Sequence, residues 1–600
     1  MSNVVQPALG RPPSPTGNSA ATSPVALTNA QYLARYLESR GVTHVYELIG
    51  GMITFLLDAL HQHSGIRIVS MHHEQGAGFA AEGHARMTGI PAVALATSGP
   101  GATNLLTCIG SCYFDSVPAV FITGQVNRHE QKKALPIRQL GFQETDIVSI
   151  CRPVTKAAFL VEDPESLPEI LDRAFRLSCA GRPGPVLIDI PMDVQRHLLA
   201  GTPALAAAAI TARGPAPAAM AGFLGELGTA LQSAQRPLVL AGGGVRSGGA
   251  IDPFRALIAH LQVPTVYSLM GVDTLPGGDA HRVGMIGSYG NRWANQALGR
   301  ADLVLVLGSR LDIRQTGSDV AGFSRGRTFF HVDCDAGELN NRVKGCTTLA
   351  ATLADFLPAA QSALPPGAGE RPEWNAEIAA LRARAPDTAE TSTAAGINPN
   401  ALMHALSRAA RDAQAFVCDV GQHQMWAAQS LDLAPSQRFL TSGGMGAMGF
   451  ALPAGIGASF ASGLVVVIAG DGGFQLNLQE LQTIARNQLP VKIVVLNNRC
   501  HGMVRQFQES YFKERYQSTL WGYDAPDFCA VARAYGLLAV RVSDPARIEE
   551  TLAELMREPR RPALLEVMIP TETNAYPKLA FGRPFGEMEP AVKPLEMEGT

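Results

Sequence analysis

Short apolar runs rich in β-branched residues recur along the chain at Ala92 to Thr97, Val117 to Thr123, Pro237 to Ala241, Leu303 to Gly308, Val465 to Gly470 and Lys492 to Asn497. Stretches with helical spacing separate them. Runs that are apolar throughout, rather than alternating, predict strands buried on both faces. Strands alternating with helices predict an α/β fold of parallel sheets covered on both sides. Stretches rich in Ala, Pro and Gly at Gly201 to Ala219 and Pro358 to Ala395 break the alternation and read as interdomain connections. Residues 1–27 are rich in Pro, Ser, Ala and Gly without an apolar period and read as a disordered leader.

The expected architecture is therefore three doubly wound parallel-sheet domains. After the leader these are a first domain over 28–198, a linker over 199–219, a middle domain over 220–358, a linker over 359–395, a third domain over 396–570 and a tail over 571–600. The segments "PAVALATSGPGATNL" and "LVVVIAGDGGFQLNL" are each an apolar strand, a Gly-rich turn and a helix start. This weak internal repeat suggests two copies of one module flanking a different one.

Composition narrows the partners. The chain of 600 residues is 46% hydrophobic and only 17% charged, against roughly 25% charged in an average domain, so much of it is buried. Lys+Arg 49 against Asp+Glu 52 leaves a net charge of -3 without a long run of one sign. A nucleic-acid partner is not expected, and a small molecule is. Apolar runs such as Leu464 to Ala469 fall far short of the roughly 18 residues that span a bilayer, and no basic start precedes an apolar stretch. No membrane partner is expected, and the chain reads as a cytoplasmic protein. The nine cysteines are scattered without a C-x-x-C spacing and read as reduced core thiols.

The most specific motif is Gly470-Asp471-Gly472-Gly473, a helix-like Leu476 to Asn487, and the strand "VKIVVLNN" ending at Asn497-Asn498. This is one βαβ unit whose loops lie at strand C-termini, where open α/β sheets bind ligands. The glycines allow close approach to a diphosphate, and Asp471 and Asn498 offer hard oxygen ligands suited to Mg²⁺. Gly-Asp-Gly alone is common in tight turns; its pairing with Asn-Asn is what makes the signal specific.

At this point the sequence resembles the thiamine-diphosphate (ThDP) enzymes. The resemblance implies ThDP and Mg²⁺, with the metal on Asp471, Asn498 and the backbone carbonyl of Cys500, and with Gly502 and Met503 following at the cofactor. It also implies a glutamate on the pyrimidine N1′ from another subunit, and "MHHEQGAGFAAEGHARMTG" places Glu74 there. Taken alone, Glu74 also reads as a helix-surface charge. Beside the cofactor motif it is the expected catalytic acid, since a buried carboxyl group exchanges a proton near neutral pH.

The segments "TSGPGATNL", "GFQETDI", "GRPGPVLIDIP", "DVGQHQMWAAQ", "TSGGMGAMGFALPAGIGA" and "LNNRCHGMVRQFQESYF" resemble the catalytic subunit of acetolactate (acetohydroxyacid) synthase, from about Leu27 to Pro570. This implies Val420, Gly421, Gln422 and His423 at the diphosphate, Gly446 and Met448 at the aminopyrimidine, and Phe142 and Gln143 in the catalytic centre. Met448 would force the cofactor into its bent conformation. A homodimer or homotetramer with sites at subunit interfaces is implied, acting on pyruvate and a carbonyl acceptor.

In the middle segment, "LAGGGVRSGG", "YSLMGVD", "GMIGSYGN", "LGSRLDIRQTG" and "HVDCDAGEL" are ordinary turns singly. Together they resemble the family's FAD-binding domain. The match assigns Arg182, Gly242, Gly243, Gly244, Leu269, Met270, Gly287, Gly308, Arg310, Asp312, Arg314, Asp333 and Glu338 to a flavin with a structural rather than redox role. Asp333 and Glu338 would accept hydrogen bonds from ribose or adenine, and Arg182 and Arg310 would neutralise the diphosphate. An acid usual in the family has no clear counterpart near Cys346 to Thr352, and Ser288-Tyr289 replaces the usual Met-His.

The acceptor side departs further: Phe507 stands for the family's tryptophan, Met192 for its lysine and Ile49 for its proline. Losing the lysine removes a cation from the substrate channel, whereas Arg314 matches the arginine used for the acceptor carboxylate. The expected reaction transfers the acetyl unit of pyruvate to a 2-keto acid or a ketone. Three alternatives stay open. "NRHEQKKALPIRQLGFQE" resembles yersiniose-type carboligases acting on a nucleotide-linked keto sugar, with Arg128, Lys132, Lys133 and Arg138 either at its diphosphate or in a solvated loop. The others are a flavin-dependent pyruvate oxidase and an inactive binding protein.

Overall fold

Six strands, His44–Leu48, Arg67–Ser70, Ala92–Ala96, Ala119–Gln125, Ala157–Leu160 and Pro185–Pro191, form a parallel sheet in the spatial order 2-1-3-4-6-5. The computed structural model to which it belongs describes residues 26–201, 205, 217–391 and 396–595. Almost all of the expected leader and most of the 199–219 linker lie outside the described residues. A second sheet carries Ala415–Cys418, Arg438–Thr441, Val465–Gly470, Val491–Asn497, Leu538–Val542 and Ala563–Met568, and its order is again 2-1-3-4-6-5. The two halves that look alike in sequence thus share one topology.

Between them in the chain lies a sheet of Pro237–Ala241, Thr265–Tyr267, Arg282–Met285, Leu303–Leu307, Thr328–Asp333 and Thr347–Ala350, in the order 6-5-4-1-2-3. This doubly wound order reverses between Pro237–Ala241 and Leu303–Leu307, which pair in register from Leu303↔Pro237 to Leu307↔Ala241. Ligands of such sheets bind beyond the strand ends at that reversal.

The outer modules meet through two helices, Glu74–Thr88 and Ala451–Ser462, built almost wholly of small residues at their contact. A Cβ on Gly83 would lie 2.1 Å from the Ala454 carbonyl oxygen, and one on Gly457 1.8 Å from that of Ala80. Only glycine allows this approach. Ala77, Ala80 and Ala81 thereby join Ala454, Ala458 and Val467 in one core. Likewise Phe254 and Leu257 of the middle module share a core with Met403, Leu406 and Phe416 of the third.

The stretch 359–395, expected as a linker, is largely helical instead. Helix Leu353–Ala363 runs into it and helix Pro372–Arg384 lies within it. Trp374, Ile378 and Leu381 pack with Trp293, Leu298 and Phe329 of the middle module, and Trp374 Nε1 donates to the Pro237 carbonyl. The Ala content read as linker is a helix-favouring composition, and the 374/378/381 spacing marks one helix face. The helix expected over Leu476 to Asn487 is instead a 3₁₀ turn Leu478–Glu480 followed by helix Leu481–Asn487, with a separate short helix Asp471–Gln475 before it. Buried Asn477 stands between that short helix and the turn, donating to the Gly449 carbonyl at 2.8 Å. The tail pairs Lys578–Leu579 with Met588–Glu589 and lies on the middle module, where Leu579 N–H donates to Ser288 O. Seven of the nine free cysteines are buried, and Cys334 is exposed. No helix among the described residues is long and apolar enough to cross a membrane.

His404 ties the inter-module segment to the third module. Its Nε2 lies 2.8 Å from Asp387 and its Nδ1 2.9 Å from Asp432. The two carboxylates raise the imidazole pKa to about 9, and the imidazolium in turn holds both acids below their usual range. A raised histidine pKa stabilises fully below the unfolded value near 6.5 and is lost as pH rises through about 9. We expect melting temperature to fall over that window. In His404→Asn the pH dependence flattens and stability at pH 6 drops by about 1–2 kcal/mol, as read by thermal and urea melts.

Candidate active site

The carboxyl edge of the third sheet gathers several turns. Asp419, one residue past Ala415–Cys418, is buried; its Oδ1 accepts from Val420 N–H at 2.8 Å and Gly449 N–H at 3.0 Å, and its Oδ2 from Ala451 N–H at 3.0 Å. Burial pushes its pKa up to about 6 against the effect of these donors. It closes the turn holding Gly446 and Met448 onto the turn holding Val420, Gly421 and Gln422. A Cβ on Gly473 would sit 2.7 Å from Asp419 Oδ1, and one on Gly502 1.9 Å from Gln422 Oε1. A Cβ on Gly472, which follows Gly470 and Asp471, would lie 2.7 Å from the His501 ring and 3.4 Å from the Met448 methyl. These glycines are set by close approach.

Three oxygens converge beside this turn. Asn498 Oδ1 lies 3.3 Å from Asp471 Oδ1 and 2.9 Å from the Cys500 carbonyl oxygen, while Asn498 Nδ2 donates to Gln422 Oε1 at 3.1 Å. Turning the amide over would let it donate to both oxygens but would set its own oxygen against Gln422 Oε1. A divalent cation among the three oxygens satisfies the orientation as it stands. Tyr523 OH donates to the other Asp471 oxygen at 2.9 Å and packs on His501 at 4.4 Å between ring centroids. His423 is buried, and its Nε2 has no partner among the described residues. Burial pushes its pKa down to about 3, so a neutral N–H is available to an anionic oxygen. This donor set fits a metal–diphosphate pair.

Glu74 opens helix Glu74–Thr88 of the first module, where the helix dipole favours a carboxylate. It is 7% exposed, and its Oε2 accepts from Asn104 Nδ2 at 2.9 Å. Gln143, at φ 64, packs against Gly99, so the loop from Thr97 to Asn104 touches both. Thr97 also backs Gly50, which puts Ile49 beside them. Met192 begins the short helix after Pro185–Pro191, next to the Asp193–Arg128 ion pair at 2.7 Å. Ile49 and Phe142 are 66% and 78% exposed. Among the described residues no hydrogen bond, ion pair or ring contact joins Glu74, Ile49, Phe142, Gln143 or Met192 to the Asp471 cluster.

The middle sheet opens at its reversal point into a cavity of about 710 Å³, within the usual size of cofactor sites. Arg182, Gly243, Gly244, Leu269, Met270, Gly308, Arg310, Asp312, Arg314 and Asp333 line it. Three expected residues do not. Gly242 packs on the Gly308 carbonyl, Gly287 (φ 106) packs on the Arg314 carbonyl, and Glu338 instead pairs with Arg182 at 2.6 Å. Asp355, also in the lining, is an acid three residues beyond the Cys346 to Thr352 stretch in which none was found. It sits in the first helical turn capped by Thr352, and that cap was the available signal. Asp419 and Tyr523 were likewise missed; only the place of Asp419 just past an apolar strand marked it. A second cavity of about 270 Å³ is lined by Arg314, Phe507, Tyr511 and the tail residues Lys578 and Phe581, so Arg314 faces both.

Known proteins match along the same lines. The thiamine pyrophosphate enzyme N-terminal TPP binding domain matches residues 27–150, the central domain 224–360 and the C-terminal TPP binding domain 419–567. Acetolactate synthase isozyme 2 large subunit of Escherichia coli (strain K12) is 37% identical over 94% of this chain and 99% of its own length. The acetolactate synthase large subunit of Lactococcus lactis is 36% identical over 94% and 96%, and acetolactate synthase 2, chloroplastic, of Nicotiana tabacum 36% over 93% and 84%. Three α/β modules in this order are thus the fold of a thiamine pyrophosphate enzyme. Within that class the chain belongs to the acetolactate synthase-like family.

Asp419→Ala leaves three buried N–H groups without their acceptor. We expect the third module to lose about 2–4 kcal/mol and calorimetric binding of ThDP with Mg²⁺ to weaken at least tenfold; unchanged binding would refute the clamp.

Proposed function

We propose that the chain binds ThDP, Mg²⁺ and FAD and is a carboligase of the acetolactate type, decarboxylating pyruvate and joining its acetyl unit to a second 2-keto acid. The observation that carries this reading is the convergence of the Asp471, Asn498 and Cys500 oxygens beside a glycine-lined turn and a partnerless His423. When bound, ThDP would supply the carbon nucleophile and the electron sink for that chemistry. Asp471, Asn498 and the Cys500 carbonyl would hold the metal, and Val420, Gly421, Gln422 and His423 the diphosphate. Met448, whose methyl lies over Gly472, would support the bend of the cofactor. Glu74 would hold and release a proton at the pyrimidine N1′.

Arg314 supports a carboxylate-bearing acceptor. Its guanidinium makes no ion pair among the described residues, and the residue lines both cavities. Phe507, its ring centroid 4.8 Å from that of Tyr511 and tilted against it, would form the apolar wall beside Arg314. The 710 Å³ cavity supports FAD: it lies at the reversal of a doubly wound sheet, is lined by glycines, and offers cations at Arg182 and Arg310 with acids at Asp333 and Asp355.

We assign the complete site to two chains. Among the described residues the Glu74 side chain is hydrogen-bonded only to Asn104, and the apolar Ile49, Phe142 and Leu476 (53% exposed) stand open. A second copy would bring Glu74 of one chain to Asp471 of the other. Glu74→Gln is expected to lose at least 100-fold in CO₂ release from pyruvate, with ThDP still bound. Glu74→Gln and Asp471→Asn chains, each inactive, should on mixing recover about a quarter of wild-type activity through heterodimers holding one intact site. No recovery would place the whole site in one chain.

A further inference from the structure

The flavin cavity and the turn that carries Gly446 and Met448 share a wall. Asp115, at the end of helix Leu106–Phe114 in the first module, lines the cavity, as does Gly443. The Asp115 side chain is 2% exposed. Its Oδ2 accepts from Gly443 N–H at 2.9 Å and its Oδ1 from Gly444 N–H at 2.7 Å. Arg86, another cavity residue, donates to Asp115 Oδ2 at 2.8 Å and to the Thr441 carbonyl at 2.8 Å, and it also pairs with buried Glu82. A Cβ on Gly443 would strike Met270 Sδ at 2.3 Å, so the middle module presses on the same point.

The far side of the turn is fixed independently. Ser442 Oγ accepts from Ala447 N–H at 3.2 Å, and Asp419 takes Gly449 and Ala451. Between these ties only the apex is loose: Met445 is 42% exposed, and Gly446, at φ 67, has open space where a Cβ would be. Arg86, Asp115 and Gly443 all line the cavity, so a ligand that reaches this wall bears on them. It therefore bears on Gly443 and Gly444, whose N–H groups are held from the first module by Asp115.

We propose that Asp115, held by Arg86, is a positioning residue that couples occupancy of the flavin cavity to the geometry of the pyrimidine turn at Gly446 and Met448. This rests on the reading of the two cofactor sites above. It gives a flavin with no electron to transfer a thermodynamic task. Filling the cavity restrains Asp115 and Gly443, and the ordering of the turn is then no longer charged to ThDP binding. By reciprocity ThDP tightens the flavin by the same factor.

The test uses the full-length protein stripped of cofactors, with Mg²⁺ constant, and measures ThDP affinity by calorimetry without FAD and at saturating FAD. Wild type is expected to bind ThDP at least about fivefold more tightly with FAD present. In Asp115→Asn, whose amide nitrogen cannot accept the second backbone N–H, the two dissociation constants should converge while flavin absorbance still shows the cavity filled. A second measurement needs no variant. Hydrogen exchange of the peptide covering 440–450 in the wild-type protein should slow at least fivefold on adding FAD without ThDP. Equal ThDP affinities in wild type, an unchanged ratio in Asp115→Asn, or exchange indifferent to FAD would each overturn the coupling. Failure of wild type to bind FAD at all would instead sink the flavin reading, and the coupling with it.

Discussion

A buried carboxylate with three backbone N–H groups on it is the constraint around which the third module's site is arranged. Asp419 spans two turns that follow different strands, and it lies close enough to Gly473 to exclude any side chain there. Such a group is stable inside a protein only if its lone pairs are satisfied. The same three donors that make its burial tolerable therefore fix the relative positions of the Val420–Gln422, Gly446–Met448 and Gly470–Gly473 segments. The Asp471 and Asn498 oxygens meet because their strands, Val465–Gly470 and Val491–Asn497, pair in parallel and end side by side.

The contact between the outer modules obeys a related rule. Helices Glu74–Thr88 and Ala451–Ser462 approach so closely that backbone carbonyls fill the space where side chains would be. Glu74 stands at the first position of one of these helices, and the other begins at Ala451, which donates to Asp419. Packing between glycine faces thus sets where the Glu74 end of one helix and the Asp419-bound end of the other lie. An interface of this kind has little slack, since protein interiors are close-packed.

The middle module contributes differently. Its sheet reverses winding where Gly243, Gly244 and Gly308 meet, and the resulting cavity extends to residues of both outer modules, including Arg86, Asp115 and Arg438. Arg438 donates to the Arg86 carbonyl and pairs with Asp273 at 3.0 Å, so charged side chains of all three modules interlock at the cavity wall.

Much of this was legible along the chain. Continuous apolar strands announced parallel sheets, since a strand covered on both faces has no polar side to alternate. Two similar strand–turn–helix segments announced modules with the same topology. Gly470 to Gly473 and Asn498 marked the third-module site because close backbone approach and hard oxygen ligands need those residue types. The tertiary structure alone decided the rest. Trp374 turned an Ala-rich linker into a packed helix. Asp355 lines the middle cavity three residues beyond the stretch where no acid stood, in the first turn of the helix that Thr352 caps. Glu338 turned to Arg182, and Asp419 and Asp115 became the ties between turns. Those roles depend on which distant backbone groups a carboxylate meets after folding, and local pattern carries no record of that. The sequence by itself determined the elements and the chemistry at their ends; only folding decided which ends would meet.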